Sequence, residues 1–165
     1  MNWRTMMLEI LEMRNDEIDA VLARVGYGHL ACSRDDQPYV FPIYYVYNRI
    51  DIFIYTTEGL KTEVINSNPR ICLQVEEPFN NGGWRSVVVN GEAHEITDRT
   101  ERERAVGLIR ASNPTLLPAL AIKWSNDWMR KNVEVVYKVK IVSLAGRVTS
   151  EILIAAASAQ PVFCG

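Results

Sequence analysis

The chain has 165 residues, 48% of them apolar and 23% charged, the composition of one folded domain rather than of a disordered segment. Its formal net charge of −2 excludes a general nucleic-acid binder, which needs a basic excess to neutralise phosphates, and leaves room for one local cationic pocket. Glu9 and Glu12 interrupt the apolar start, unlike a signal peptide, and the longest apolar run, 152–159, is too short to span a bilayer.

Residues 1–14 read as an extension ahead of the domain. Asn15 is placed to cap a short helix whose Ile18, Val21, Leu22 and Val25 share one face. Gly26 and Gly28 break that pattern, residues 27–33 suit a strand, and Asp35-Asp36-Gln37-Pro38 has turn chemistry. Residues 39–47 are an aromatic and β-branched strand. Pro42 cannot donate to a ladder there and marks an edge or a bulge. Asn48-Arg49 leads tightly into a strand at 51–55, a polar bend follows at 56–59, and a helix is predicted over 60–66 until Asn68-Pro69 ends it. A strand at 71–76, a loop at 78–83 and a long strand at 85–96 come next. Asp98 and Glu101 carry a capping-box signature for a helix with Ala105, Val106 and Ile109 on one face. Glu101, Arg102, Glu103 and Arg104 read as its solvated side. A mixed region with Pro114 and Pro118 precedes a last clear strand at 133–142, and the tail 152–165 reads equally as a strand, a docked tail or a partner-covered segment. No repeat or linker divides residues 1–165. Short strands joined by tight turns predict a mainly β (α+β) fold, an antiparallel barrel or sandwich, and closing the sheet removes its edges.

The most informative segment is Tyr55-Thr56-Thr57-Glu58-Gly59-Leu60-Lys61-Thr62, where a strand turns at a glycine into a helix. Unpaired N–H groups at a helix start, the Lys61 ammonium and the hydroxyls of Thr56, Thr57 and Thr62 make a phosphate cradle. The same residues also read as an ordinary capped helix with a solvated lysine. A second cluster, Trp84-Arg85-Ser86, opens the apolar strand Val87-Val88-Val89. It suits a further phosphate contact with Trp84 covering an aromatic ligand, or equally an exposed pair beside a core tryptophan.

Taken in order, Tyr-Thr-x-x-Gly-x-Lys after an aromatic-aliphatic strand, Asn-Pro-Arg-Ile at 68–71 and Trp-Arg-Ser-Val-Val-Val-x-Gly-x-Ala-x-x-Ile at 84–96 resemble the FMN-binding split barrels. That superfamily includes the pyridoxamine 5′-phosphate oxidases, and the Trp-Arg-Ser form looks closest to its nitroimidazole-reductase-like branch. The resemblance runs over about residues 18–109. It implies a six-stranded antiparallel split barrel with flanking helices, working as a homodimer with flavin at the two-fold interface. It further implies that Val40, Phe41, Pro42 and Ile43 run along the flavin, largely through backbone groups. Tyr55, Thr56, Thr57, Lys61 and Thr62 would hold ribityl and phosphate. Trp84, Arg85, Ser86, Val87 and Val88 would reach in from the second subunit.

Two departures matter. The oxidases proper carry an arginine and a lysine in the strand that here has Val40 and Tyr45, and a tryptophan- and arginine-containing ending that 152–165 lacks. A substrate phosphate would lack its cations, which argues against vitamin B6 oxidation.

His29 and His94 are too few for an all-protein metal site and read first as strand histidines, although a haem-binding variant of the fold would use one of them. Cys32, Cys72 and Cys164 are odd in number and fit free thiols of a reducing compartment, with cytoplasm the default. Of Tyr44, Tyr45 and Tyr47, alternation sends neighbours to opposite faces, so some are core. The expected function is an FMN-dependent oxidoreductase acting on a small molecule other than pyridoxamine phosphate. FAD stays open as the cofactor. The alternatives are a flavin-binding sensor without turnover and a haem-binding split barrel. No side chain is expected to be a general acid or base, because a flavin carries the redox chemistry.

Overall fold

A computed structural model describes residues 6–80, 82–112 and 134–153. Seven strands and three helices follow in the order β1 (Met6–Glu12), α1 (Asn15–Val25), β2 (Tyr27–Arg34), β3 (Gln37–Tyr47), β4 (Ile52–Thr57), α2 (Leu60–Ser67), β5 (Arg70–Pro78), β6 (Trp84–Glu95), α3 (Arg99–Ser112) and β7 (Glu134–Leu153). All pairings are antiparallel, in the order β1-β7-β4-β3-β2-β5-β6, with β6 returning to β7. Six strands thus close a barrel, as expected, and β1 is added outside the ring.

Local chemistry explains the turns. Asp35 and Asp36, with φ of 52° and 61°, form the two-residue hairpin between Arg34 and Gln37, a conformation aspartate tolerates better than most residues. Asn48 Oδ1 accepts from the backbone N–H of Ile50 and Asp51, closing the next connection. β3 pairs with β4 only from Tyr45 to Tyr47, so Pro42, opposite His29, stands where β3 has β2 alone beside it.

The barrel is plugged at both ends. At one end α1 inserts Ile18, Val21 and Leu22. At the other α2 inserts Val64 and Ile65, and between them lie Leu30, Ile43, Ile54, Leu73, Val75, Val87, Val89 and Tyr137. Close approaches require glycine. A Cβ on Gly28 would fall 2.5 Å from the Gln74 carbonyl oxygen, and one on Gly146 would fall 2.7 Å from Ile18 Cγ1. A second cluster outside the barrel joins Val46, Phe53 and Val136 to Ile96, Ala105 and Ile109, so α3 roofs β3's far end, β4 and β7.

Four expectations change. Residues 6–12 form a strand rather than a featureless extension, and β7 continues past Val142 to Leu153. The two corrections share a cause: Arg147–Leu153 of β7 pairs with β1, which supplies the ladder that Gly146, Arg147, Thr149 and Ser150 do not advertise. Asn15 is the first helical residue rather than the cap, because the Glu17 carboxylate reaches back to the Arg14 N–H at 2.8 Å. Asp98 does cap α3, accepting from the Glu101 N–H at 2.8 Å, but Glu101 and Arg102 are not merely solvated. Glu101 takes Lys138 Nζ at 3.1 Å and Arg102 donates to the Glu134 carbonyl at 3.0 Å, tying α3 to β7. Pro114, Pro118 and the tail beyond Leu153 lie outside the described residues. Among those residues no helix is long and apolar enough to cross a membrane.

Candidate functional site

β4 hands over to α2 at Gly59, and the corner is fixed from within. Thr62, buried in the first turn, accepts from the Gly59 N–H at 3.0 Å and returns its own hydroxyl hydrogen to the Gly59 carbonyl at 2.8 Å. The Thr62 hydroxyl therefore positions the turn, and what faces outward is the first-turn backbone N–H set of residues 60–62. Intrahelical acceptors begin only with Glu63, whose N–H reaches the Gly59 carbonyl at 3.0 Å.

Lys61 completes the corner. Its ammonium donates to Thr56 Oγ1 at 3.2 Å and lies 5.7 Å from the centre of the Phe41 ring. Phe41 in turn stacks on Tyr39, with ring centres 6.2 Å apart. No carboxylate among the described residues forms an ion pair with Lys61, and burial pushes its ammonium below the usual lysine range while the neighbouring Cys32 thiol opposes the shift. Burial likewise pushes Cys32 up, against the pull of Lys61. A half-buried cation without a counter-ion beside unpaired helix N–H groups has the chemistry of an oxyanion receptor. Acidic side chains also flank this turn: Glu63 pairs with Arg34 at 3.6 Å, and Glu58, Glu63 and Glu95 line a cleft together with Gly59, Thr62, Asn66 and Val135, which does not include Lys61.

Not every expected residue joins this corner. Tyr55 packs its ring against the cluster under α3, and its hydroxyl, beside Glu134, is pushed well above the ordinary tyrosine value, chiefly by burial. Thr57 is exposed at the end of β4, opposite Glu134. Tyr45 points inward, its hydroxyl donating to the Leu22 carbonyl at 2.9 Å.

Register places the other expected residues. Reading across β3-β2-β5-β6-β7, Pro42 faces His29, Gln74, Val88 and Ala145 in turn, and Val40 faces Ala31, Cys72, Asn90 and Ser143. These rows form the outer face that no described helix covers, with Val40 at 63% and Tyr44 at 44% exposure. Tyr27 meets both His29 and Tyr44 edge to face on the same side. His29 thus stands on the open face, while His94 is exposed beside Glu92, at 3.5 Å; among the described residues neither belongs to a group able to hold a metal. Phe41 and Ile43 turn the other way, Ile43 into the core.

Alternation also divides the β6 cluster. Val87 and Val89 are fully buried, so Ser86 and Val88, with Trp84 in phase, belong to the open face. Arg85 has the inward phase and emerges at the barrel end beside α1, where it meets Glu77 at 3.4 Å. That end is remote from Lys61 in the same chain. Thr57 is opposite Glu134 and Arg85 opposite Val148, separated by roughly 45 Å of strand path at about 3.3 Å per residue. The signal for this split, the odd-even pattern around the valines, is present in the sequence.

Fold and site together define a closed six-stranded split barrel with a half-buried lysine at a helix start and an uncovered sheet face. The family model described as pyridoxamine 5′-phosphate oxidase matches residues 14–148, and the chain belongs to that family. A FAD-binding protein from Mesorhizobium loti is similar at 30% identity, with a TM-score of 0.68 over 88% of this chain and 98% of that one. At 14% identity the fold extends to a Bacteroides thetaiotaomicron protein whose description links it to 5-nitroimidazole antibiotic resistance, with a TM-score of 0.68 over 92% and 96% of the two chains. An uncharacterised protein of Rhizobium meliloti is 38% identical over 84 residues, which are 51% of this chain and 56% of the relative.

Proposed function

We propose that this protein binds a flavin, FMN in the first instance, and serves as a homodimeric flavin-dependent oxidoreductase in the cytoplasm. The observation that carries the reading is the half-buried Lys61 ammonium, without a carboxylate partner among the described residues, at the start of α2. Lys61 and the backbone N–H groups of residues 60–62 would hold the phosphate, with Thr56 orienting the ammonium and Thr62 locking the Gly59 turn. The β3 segment Val40, Phe41, Pro42 and Ile43 would run beside the ring system, offering backbone groups and the apolar side chains of Val40 and Pro42. When bound, the flavin supplies two-electron exchange between a donor and a small acceptor. The protein's own part is to orient it and to exclude water.

The separation of Arg85 from Lys61 along β7 supports a site shared between two subunits, since Trp84, Ser86 and Val88 of one copy meet a flavin held by the other more readily than their own. Arg85 and Val87 would then contribute through backbone only. The FAD-binding relative from Mesorhizobium loti keeps FAD as the second candidate cofactor. The substrate is a small molecule other than pyridoxamine phosphate, because Val40 offers no cation on the open face and Tyr45 is turned into the barrel. Turnover is tested by bleaching the yellow protein with a reduced nicotinamide and adding an acceptor. Reoxidation supports an enzyme, whereas a flavin that neither bleaches nor reoxidises supports a binding protein without turnover.

A further inference from the structure

Arg85 carries surplus positive charge at the barrel end away from Lys61. Arg24, in the last turn of α1, gives Nε and a terminal nitrogen to Glu77 at 2.9 and 2.7 Å, so one carboxylate fills one guanidinium edge. Arg85 reaches the same carboxylate through a single terminal nitrogen at 3.4 Å, and its guanidinium lies 4.8 Å from the centre of the Phe79 ring. Two cationic groups therefore face one anion. The remaining nitrogens of Arg85 have no partner among the described residues. At the end of α1, Tyr45 takes two carbonyls: its hydroxyl donates to the Leu22 oxygen at 2.9 Å and its N–H to the Gly26 oxygen at 3.0 Å. Arg24, Glu77, Phe79 and Arg85, with Pro78 and Asn80, line a surface cleft of about 360 Å3.

We propose that this cleft is a second anion site, which takes the phosphate or carboxylate end of a small molecule on the free edge of Arg85. The planar guanidinium presents paired donors that match either oxyanion, Phe79 holds its plane, and Glu77 anchors it while leaving the cleft net positive. The proposal stands on the geometry of Arg24, Glu77 and Arg85 and does not require the flavin reading.

The test is titration of the full chain with inorganic phosphate and, separately, with acetate, followed by NMR at the Asn80 amide and the Phe79 ring. Saturable shifts at both are expected, and the anion that binds more tightly identifies the ligand class. Arg85→Gln should weaken binding about tenfold. Glu77→Gln should strengthen it, since it removes the carboxylate of the cleft, and this opposite sign keeps the test decisive if Arg85→Gln folds poorly. Lys61→Ala should leave these shifts in place. Absence of saturation with both anions, equal affinity in Arg85→Gln, or shifts that vanish in Lys61→Ala would overturn the proposal.

Discussion

Lys61 holds its ammonium 5.7 Å from the centre of the Phe41 ring and 3.2 Å from Thr56 Oγ1. The ring and Thr56 are the partners the ammonium has among the described residues, and the positive end of α2 adds to its pull on an anion rather than offsetting it. Replacing Lys61 by Ala should weaken FMN binding by about 1.5–3 kcal/mol, the range for a charge-assisted hydrogen bond. Fluorescence titration of flavin-free protein measures it, and unchanged affinity would remove Lys61 from the phosphate site.

The same burial sets a pH dependence. An oxyanion needs the charged lysine, and burial lowers the Lys61 pKa, so flavin affinity should be full below that lowered value and fall as pH rises through it, before a free lysine would titrate. On the flavin-free protein the sign reverses. Burying the charge costs stability at lower pH, and that cost fades between the lowered value and the ordinary lysine value. Lys61→Arg should flatten the alkaline fall in affinity; an identical fall in that variant assigns the pH effect to another group.

Glu77 gives a second pH effect. Its carboxylate is held below the usual range, first by the hydrogen bond from Arg24 and then by Arg85, with burial opposing. The stabilisation it contributes is present above the ordinary carboxylate value and is lost as pH falls through the lowered one. Acid unfolding of Glu77→Gln should therefore show a shallower loss of stability than the native chain, and coincident profiles would leave the Arg24–Glu77 pair without energetic weight.

Tyr137 links β7 to α2 by donating its hydroxyl to Asn66 Oδ1 at 2.8 Å, and its pKa is pushed up to about 12, mainly by burial. Tyr137→Phe keeps the ring in the core but leaves Asn66 short of a donor. Urea unfolding should show a loss of about 0.5–1.5 kcal/mol. No change would mean that water replaces the phenol there.

Dimer formation through the open face is tested by Val88→Arg, which places a charge in the row of Pro42, His29 and Gln74 without entering the barrel core. Sedimentation should show a dimer for the native chain and a monomer for the variant. A variant that stays dimeric puts the subunit contact on another surface.

Much of the barrel was legible because local chemistry and tertiary pairing agree. The Asp35-Asp36 turn, the Asp98 cap and the alternating strands at Arg70–Pro78 and Trp84–Glu95 each announce themselves within a few residues. β1 and the far half of β7 did not, because Ile10 and Leu11 are both exposed and the ladder comes from a partner more than a hundred positions away. Within the corner, residue type pointed to Lys61 and Thr56. Only the folded structure shows that the Thr62 hydroxyl serves Gly59 and that Tyr55 belongs to the packing under α3. Arg85 was grouped with Trp84 and Ser86 by sequence adjacency, yet strand alternation turns it to the opposite side.

The central claim, that the α2 corner and the open sheet face hold a flavin, meets its most direct test in the absorption spectrum of freshly purified protein, with mass spectrometry of the ligand released on denaturation. The two-banded absorption of an oxidised flavin is expected, with the mass of FMN, or of FAD if the larger cofactor is the native one. A colourless protein that takes up neither nucleotide on titration, or one showing only a haem Soret band, would contradict it.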